Sequence, residues 1–121
     1  QELHYGRDAL VGTALFLKQL AEKKVKCSEL KQGYPQYVMS KNKIQLTPTT
    51  DVDAILAKFV EKFKNEKVTT IDGVKIDFEE GWVHLRKSNT EPIIRIYSEG
   101  KTEAEAERFA NMILEEAKKM V

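Results

Sequence analysis

The sequence predicts an α+β fold, in which a four-stranded antiparallel sheet carries two helices on one face and follows a helical segment. Apolar residues recur with a period of about 3.6 residues after Asp51 and again after Thr102. Between these two stretches lie short runs in which apolar and polar residues alternate, the pattern of half-buried strands. Because an antiparallel sheet buries one face under its helices, we expect both helices on the same face.

The first predicted helix follows Asp8, a good N-cap residue, and runs to about Lys23. It is apolar on nearly every side, and such a helix requires burial against more than one neighbour. The chain also begins at Gln1, without a methionine. We therefore expect a fragment of a longer protein, with residues 1–35 as the remnant of a preceding domain.

Residues 36–50 are predicted to form a linker or edge strand. Apolar residues alternate only loosely there, and the polar run Ser40-Lys41-Asn42 is expected to interrupt any strand. The sequence Thr47-Pro48-Thr49-Thr50 is the best candidate for the linker itself. The last domain is accordingly placed at residues 51–121.

Within that domain, each element has a local signal. Asp51 caps a helix with an apolar stripe, and Thr102 with Glu105 forms a capping box for the last helix. Asp72-Gly73 predicts a type I′ hairpin turn. The four strands are expected at residues 67–71, 74–78, 82–85 and 93–98.

Composition limits the classes of function. The formal net charge is only +1, which argues against a general binder of polyanions. A single cysteine, Cys27, excludes an internal disulfide and favours a reducing compartment. No apolar run approaches the roughly 20 residues that cross a bilayer, so no membrane partner is expected.

The chemistry is concentrated in the loop at residues 86–92, which reads Arg-Lys-Ser-Asn-Thr-Glu-Pro. Arg86 offers a planar fork of donors suited to phosphate, and Ser88 and Thr90 add hydroxyl donors. Asn89 tolerates left-handed dihedral angles, which would aim successive backbone N–H groups into one anion-binding concavity. Pro92 limits where the next strand begins. The loop therefore predicts a clamp for a dianion such as phosphate.

An ordered set of motifs resembles the C-terminal end of the α-D-phosphohexomutase superfamily, which includes the phosphoglucomutase, phosphomannomutase and phosphoglucosamine mutase enzymes. The motifs read Asp-Gly-Val-Lys-Ile, Gly-Trp-Val, the loop sequence itself and Ile-Arg-Ile-Tyr-Ser-Glu, at residues 72–76, 81–83, 86–92 and 94–99. Residues 1–35 are similar to the end of the third, sugar-binding domain. The resemblance implies a last domain with a fold like that of the TATA-box-binding protein.

By resemblance, Arg86, Ser88, Asn89 and Thr90 hold the substrate phosphate that is not being transferred, and Lys87 lies at the rim. The family interconverts hexose 1-phosphate and 6-phosphate through a bisphosphate, using a phosphoserine and Mg²⁺ in domains that this sequence does not contain. The resemblance thus implies a cytoplasmic isomerase whose partners are a phosphosugar and the other domains of the same chain. It also implies no catalytic residue and no metal site here, so we expect the fragment to be inactive alone.

Two other functions compete with this interpretation. A helix-covered antiparallel sheet can present its open face to nucleic acid, but the outward strand positions mix both signs of charge. A protein-interaction module is the second alternative, with the apolar first helix as its docking face. Arg95 and His84 are interpreted as sheet-face residues, and Arg95 as a sheet or interdomain residue in preference to a ligand.

Overall fold

The computed structural model describes residues 8–120, which fall into two compact units divided between Pro35 and Gln36. The predicted domain remnant at residues 1–35 therefore begins with seven residues that lie outside the described part. Assignment of the first unit to a preceding domain stays a prediction.

The first unit consists of α1 (Ala9–Lys23) and α2 (Cys27–Gln32). The Asp8 carboxylate accepts a hydrogen bond from the Val11 amide at 3.0 Å, as expected for an N-cap. No residue of α1 is buried, and the Leu10 side chain is 82% exposed. The apolar surface expected from the sequence is thus present on this helix.

The second unit is an α+β domain built on one antiparallel sheet. The strands lie in the order β1-β5-β4-β3-β2 across the sheet. Its elements are β1 (Val38–Gln45), α3 (Val52–Lys62), β2 (Lys67–Thr69), β3 (Val74–Asp77), β4 (Gly81–Lys87), β5 (Ile93–Gly100) and α4 (Glu103–Lys118).

The predicted number of strands, four, is wrong, because β1 adds a fifth strand at the edge of the sheet. β1 pairs with β5 over its whole length, from Val38 opposite Gly100 to Gln45 opposite Ile93. The run at residues 40–42 does not interrupt it. An edge strand needs fewer apolar residues than a central one, and Ile44 supplies the contact with the core. Polar composition therefore concealed this strand in the sequence.

Both helices of this unit pack on one face of the sheet, as predicted. Phe59 of α3 and Phe109 of α4 are buried in the same cluster as Ile76, Leu85 and Ile96 of the strands. The predicted caps also form: Asp51 accepts from the Ala54 amide, and the Thr102 hydroxyl accepts from the Glu105 amide. The face opposite the helices carries Lys43, Arg86 and Arg95, which lie opposite one another in the sheet.

The connection from β2 to β3 differs from the expected two-residue turn, since it spans residues 70–73. A type I′ turn needs positive φ at both central residues, and of Asp72 and Gly73 only Gly73 has it, at 74°. A Cβ at Gly73 would lie 2.1 Å from the Leu85 carbonyl oxygen. This loop therefore packs directly against β4 beside Arg86.

Candidate functional site

The sheet register brings basic side chains from three strands into one row on the open face. Arg86 of β4 lies opposite Arg95 of β5, and Lys43 of β1 lies opposite Arg95 on the other side. In the next row, Tyr97 lies between Lys41 and His84. Like charges directly opposite each other destabilise a sheet. The carboxylates of Asp72 and Glu91 offset part of this repulsion, and a bound anion would offset more of it.

A pocket of about 210 Å³ lies where β4 runs into the loop at residues 88–92. The structure brings all four predicted phosphate ligands and the predicted rim residue together in its wall. Two residues of β5 complete the wall. The lining residues are Arg86, Lys87, Ser88, Asn89, Thr90, Arg95 and Tyr97.

The Ser88 hydroxyl organises the loop backbone. Its oxygen accepts from the amides of Thr90, at 3.4 Å, and Glu91, at 3.3 Å. The Ser88 amide in turn donates to the Ile93 carbonyl at 3.0 Å and closes the loop. The two bonds to the hydroxyl are long for N–H···O bonds. Both amides can therefore turn to a stronger acceptor such as a phosphate oxygen at little cost.

Asn89 does not adopt the left-handed conformation expected from the sequence. Among the described residues, positive φ occurs only at Lys24 and Gly73. The prediction that a left-handed Asn89 aims successive amides at an anion is therefore wrong. The amides of Thr90 and Glu91 converge through the Ser88 side chain, without a left-handed residue.

Arg86 is held from the side by the loop at residues 70–73. Its Nε lies 3.0 Å from Asp72 Oδ2, and both side chains are more than half exposed. His84 Nε2 lies 2.5 Å from the Asp72 carbonyl oxygen, so a second residue of β4 contacts the same loop. A guanidinium has five N–H donors. The ion pair with Asp72 therefore orients Arg86 and uses only part of its capacity.

Arg95 is the site residue that sequence reasoning missed. It is on the sheet face, as interpreted, but it also lines the loop pocket beside Arg86. It forms an ion pair with Glu91 Oε2 at 3.1 Å. Hydrogen bonding to Tyr97 raises the pKa of Arg95 above its ordinary value, and Glu91 raises it further. The sequence has no local signal for this position, because Arg95 faces Arg86 only once β4 and β5 are paired.

A second and larger recess of about 490 Å³ adjoins the loop pocket over strands β1 and β5. The two share Arg95 and Tyr97. Its lining residues are Lys41, Asn42, Lys43, Glu91, Ile93, Arg95 and Tyr97. No sequence signal pointed to it, because the prediction of a linker or edge strand at residues 36–50 did not specify the pairing of β1 with β5.

The described residues offer no group of three or more His, Cys, Asp or Glu side chains that could hold a metal ion. Over the same residues, no helix combines the length and hydropathy needed to cross a bilayer. The residues that line the two pockets supply positive charge and N–H and O–H donors, which suit the capture and orientation of an anion.

Comparison with known proteins identifies the family of the chain. Residues 22–116 match the family described as "Phosphoglucomutase/phosphomannomutase, C-terminal domain". The chain is 41% identical over 119 residues to a phosphoglucosamine/phosphogalactosamine mutase of Sulfurisphaera tokodaii, covering 97% of this chain and 25% of the relative. It is 42% identical over 119 residues to a phosphoglucomutase/phosphomannomutase of Thermococcus kodakarensis, covering 94% and 26%.

A solved structure shows the same fold. A phosphoglucomutase/phosphomannomutase family protein from Burkholderia thailandensis superposes with a TM-score of 0.60 at 25% identity, over 95% of this chain and 25% of that one. The chain thus spans about a quarter of the length of the relatives that it matches. It belongs to the C-terminal domain family of the phosphoglucomutases and phosphomannomutases.

Proposed function

We propose that this chain is the phosphate-clamping domain of a phosphosugar mutase, which interconverts hexose 1-phosphate and hexose 6-phosphate through a bisphosphate intermediate. One observation supports this most directly. Arg86, Ser88, Asn89 and Thr90, the residues expected to bind phosphate, line a single pocket with a second arginine. Family membership supports the reaction class, since the relatives are named as mutases of phosphorylated hexoses or hexosamines.

In this proposal the clamp orients the substrate and performs no bond chemistry. Arg86 and Arg95 supply positive charge from facing strands, and charge-assisted hydrogen bonds to phosphate are stronger than neutral ones. The hydroxyls of Ser88 and Thr90, with the loop amides, take the remaining phosphate oxygens. Lys87 adds charge at the rim. Holding the phosphate that is not transferred converts binding energy into orientation of the reacting end.

The proposal assigns the remaining chemistry to other domains of the same chain. Among the described residues, no three His, Cys, Asp or Glu side chains are grouped so that they could hold a metal ion. Any Mg²⁺ that the mutase requires would be bound by residues elsewhere. A cytoplasmic location belongs to the same proposal and is supported by the family relationship.

The test is a titration of the chain with glucose 1-phosphate, followed by the amide NMR signals. We expect the signals of residues 86–90 to shift selectively at millimolar ligand. Arg86→Ala removes a guanidinium from the pocket, so it should abolish these shifts while the other signals keep their positions.

Arg108→Ala is the matched control, because Arg108 is an exposed arginine of α4 that pairs with Glu80 outside the pocket. It should leave the response intact. Shifts scattered over the domain, or unchanged in Arg86→Ala, would contradict the clamp. A salt-sensitive response to an oligonucleotide without any response to phosphosugar would support the nucleic-acid alternative, which family membership does not favour.

A further inference from the structure

Both arginines of the loop pocket contact a carboxylate that lies outside the predicted set of phosphate ligands. Arg86 Nε lies 3.0 Å from Asp72 Oδ2, and Arg95 Nη2 lies 3.1 Å from Glu91 Oε2. Asp72 belongs to the loop at residues 70–73, whereas Glu91 belongs to the loop that carries the predicted phosphate ligands. Two carboxylates from separate loops therefore reach two arginines that face each other across β4 and β5.

These carboxylates cancel much of the positive charge at the pocket. Three basic side chains line it, those of Arg86, Lys87 and Arg95. With Asp72 and Glu91 in contact, one net positive charge of the three remains. A phosphate monoester carries nearly two negative charges at pH 7, so its affinity rises with the positive charge around it. The pocket therefore attracts phosphate less strongly than its basic residues alone would.

Neither ion pair is a strong support of the fold. The four side chains are between 42% and 58% exposed. Ion pairs as accessible to water as these contribute little to stability, because water and salt screen them. A phosphate can therefore compete with either carboxylate for its arginine, and loss of either carboxylate should leave the domain folded.

We propose that Asp72 and Glu91 limit how tightly the loop pocket holds a phosphate, so that the phosphosugar leaves after each turnover. Each carboxylate acts on its arginine in two ways: its hydrogen bond orients the guanidinium, and its charge opposes the phosphate. Tighter binding of a ligand in every state lowers KM without raising kcat, so a limited affinity costs the reaction nothing. This inference rests on the proposed function, because it concerns the affinity of the proposed clamp.

The test replaces each carboxylate with its neutral amide, in Asp72→Asn and Glu91→Gln. Both amides keep a hydrogen-bond acceptor for the arginine, so only the charge is removed. Dissociation constants of the 121-residue chain for glucose 1-phosphate and for inorganic phosphate are measured by amide shifts. Each substitution should tighten binding of both ligands about threefold, and the double variant about tenfold, since each removes one repulsive charge within about a Debye length of the dianion. The gain should shrink as salt is added.

Glu80→Gln is the matched control, because Glu80 pairs with Arg108 outside the pocket and is as exposed as Asp72. It should leave both affinities unchanged. A variant that bound phosphate no more tightly than the unaltered chain would overturn the limit assigned to that carboxylate and leave the clamp standing. Failure of the unaltered chain and of every variant to bind either ligand would instead refute the proposed function.

Discussion

Two arginines that face each other across β4 and β5 dominate the site at the scale of single residues. Arg86 and Arg95 each have one carboxylate partner, Asp72 and Glu91 respectively, and those partners lie on different loops. Each pair uses part of a guanidinium and leaves donors for a ligand. In the proposed clamp, this arrangement keeps the charges oriented and apart until a phosphate bridges them, which is preorganisation for anion binding.

The position of Arg86 depends on one glycine. Gly73 has φ of 74°, and a Cβ there would lie 2.1 Å from the Leu85 carbonyl oxygen. Gly73→Ala should therefore destabilise the domain by at least about 1–2 kcal/mol, through the left-handed conformation and the clash. Chemical denaturation measures the change in the free energy of unfolding.

Gly12→Ala provides the opposite case. Gly12 lies inside α1, and nothing lies within 4 Å of a Cβ built there. This substitution should stabilise α1 by about 0.5–1 kcal/mol, because alanine restricts the unfolded chain.

If Gly73→Ala were as stable as the unaltered chain, the close approach of the loop at residues 70–73 to β4 would be refuted.

At the scale of elements, the predictable features were those with a local physical signature. Asp51 and Thr102 cap their helices as expected. A short polar side chain just before an apolar helical stripe usually accepts a hydrogen bond from an amide of the first helical turn. β1 was incompletely predicted, because an edge strand with Lys41 and Lys43 on its open face reads as a polar linker.

The candidate site likewise has one part that could be predicted from the sequence and one part that could not. The loop at residues 86–90 could be predicted, since its donors are contiguous in sequence. Arg95 and the recess could not, because they depend on register: Arg95 faces Arg86 only once β4 and β5 are paired, and Lys43 faces Arg95 only once β1 is in the sheet. Contacts made through pairing leave little trace in the local pattern.

α3 and α4 are joined by an ion-pair group that makes stability depend on pH. Glu116 of α4 contacts Lys62 of α3 and Lys119, and its side chain is 19% exposed. Hydrogen bonds from Lys119 and then Lys62 lower the pKa of Glu116 below its ordinary value of 4.5. A lowered folded-state pKa stabilises the fold above the unfolded-state pKa, and this contribution is lost as the pH falls through the folded-state pKa.

Glu116→Gln should therefore lower the melting temperature at neutral pH. The difference from the unaltered chain should shrink below about pH 4.5 and vanish once Glu116 is protonated in both states. Glu107→Gln is the control, an exposed glutamate of α4 without an ion pair in the described part of the chain. A deficit for Glu116→Gln that stayed constant down to acidic pH would contradict this account.

At the scale of the whole molecule, the proposed function separates binding from chemistry. Its net charge of +1 gives no broad field, so attraction of an anion comes from the row of basic side chains on one sheet face. The unit divided off at Gln36 has its own helix-covered core, which holds the loop and the recess together. In the proposed function, such a unit holds and releases a phosphosugar while the reaction takes place on other domains.

That separation predicts that the chain binds hexose phosphate without converting it. The clamp residues are donors, and the described residues contain no metal cluster. Phosphoryl transfer depends on a positioned nucleophile and on charge neutralisation at the transferred group, and the proposed function assigns both to other domains. Incubation with glucose 1-phosphate, Mg²⁺ and a catalytic amount of the bisphosphate should yield no glucose 6-phosphate in a coupled dehydrogenase assay, at ligand levels where the loop amides shift. Turnover that Arg86→Ala abolishes would show that the chain itself carries the missing chemistry and would overturn the division of labour proposed for it.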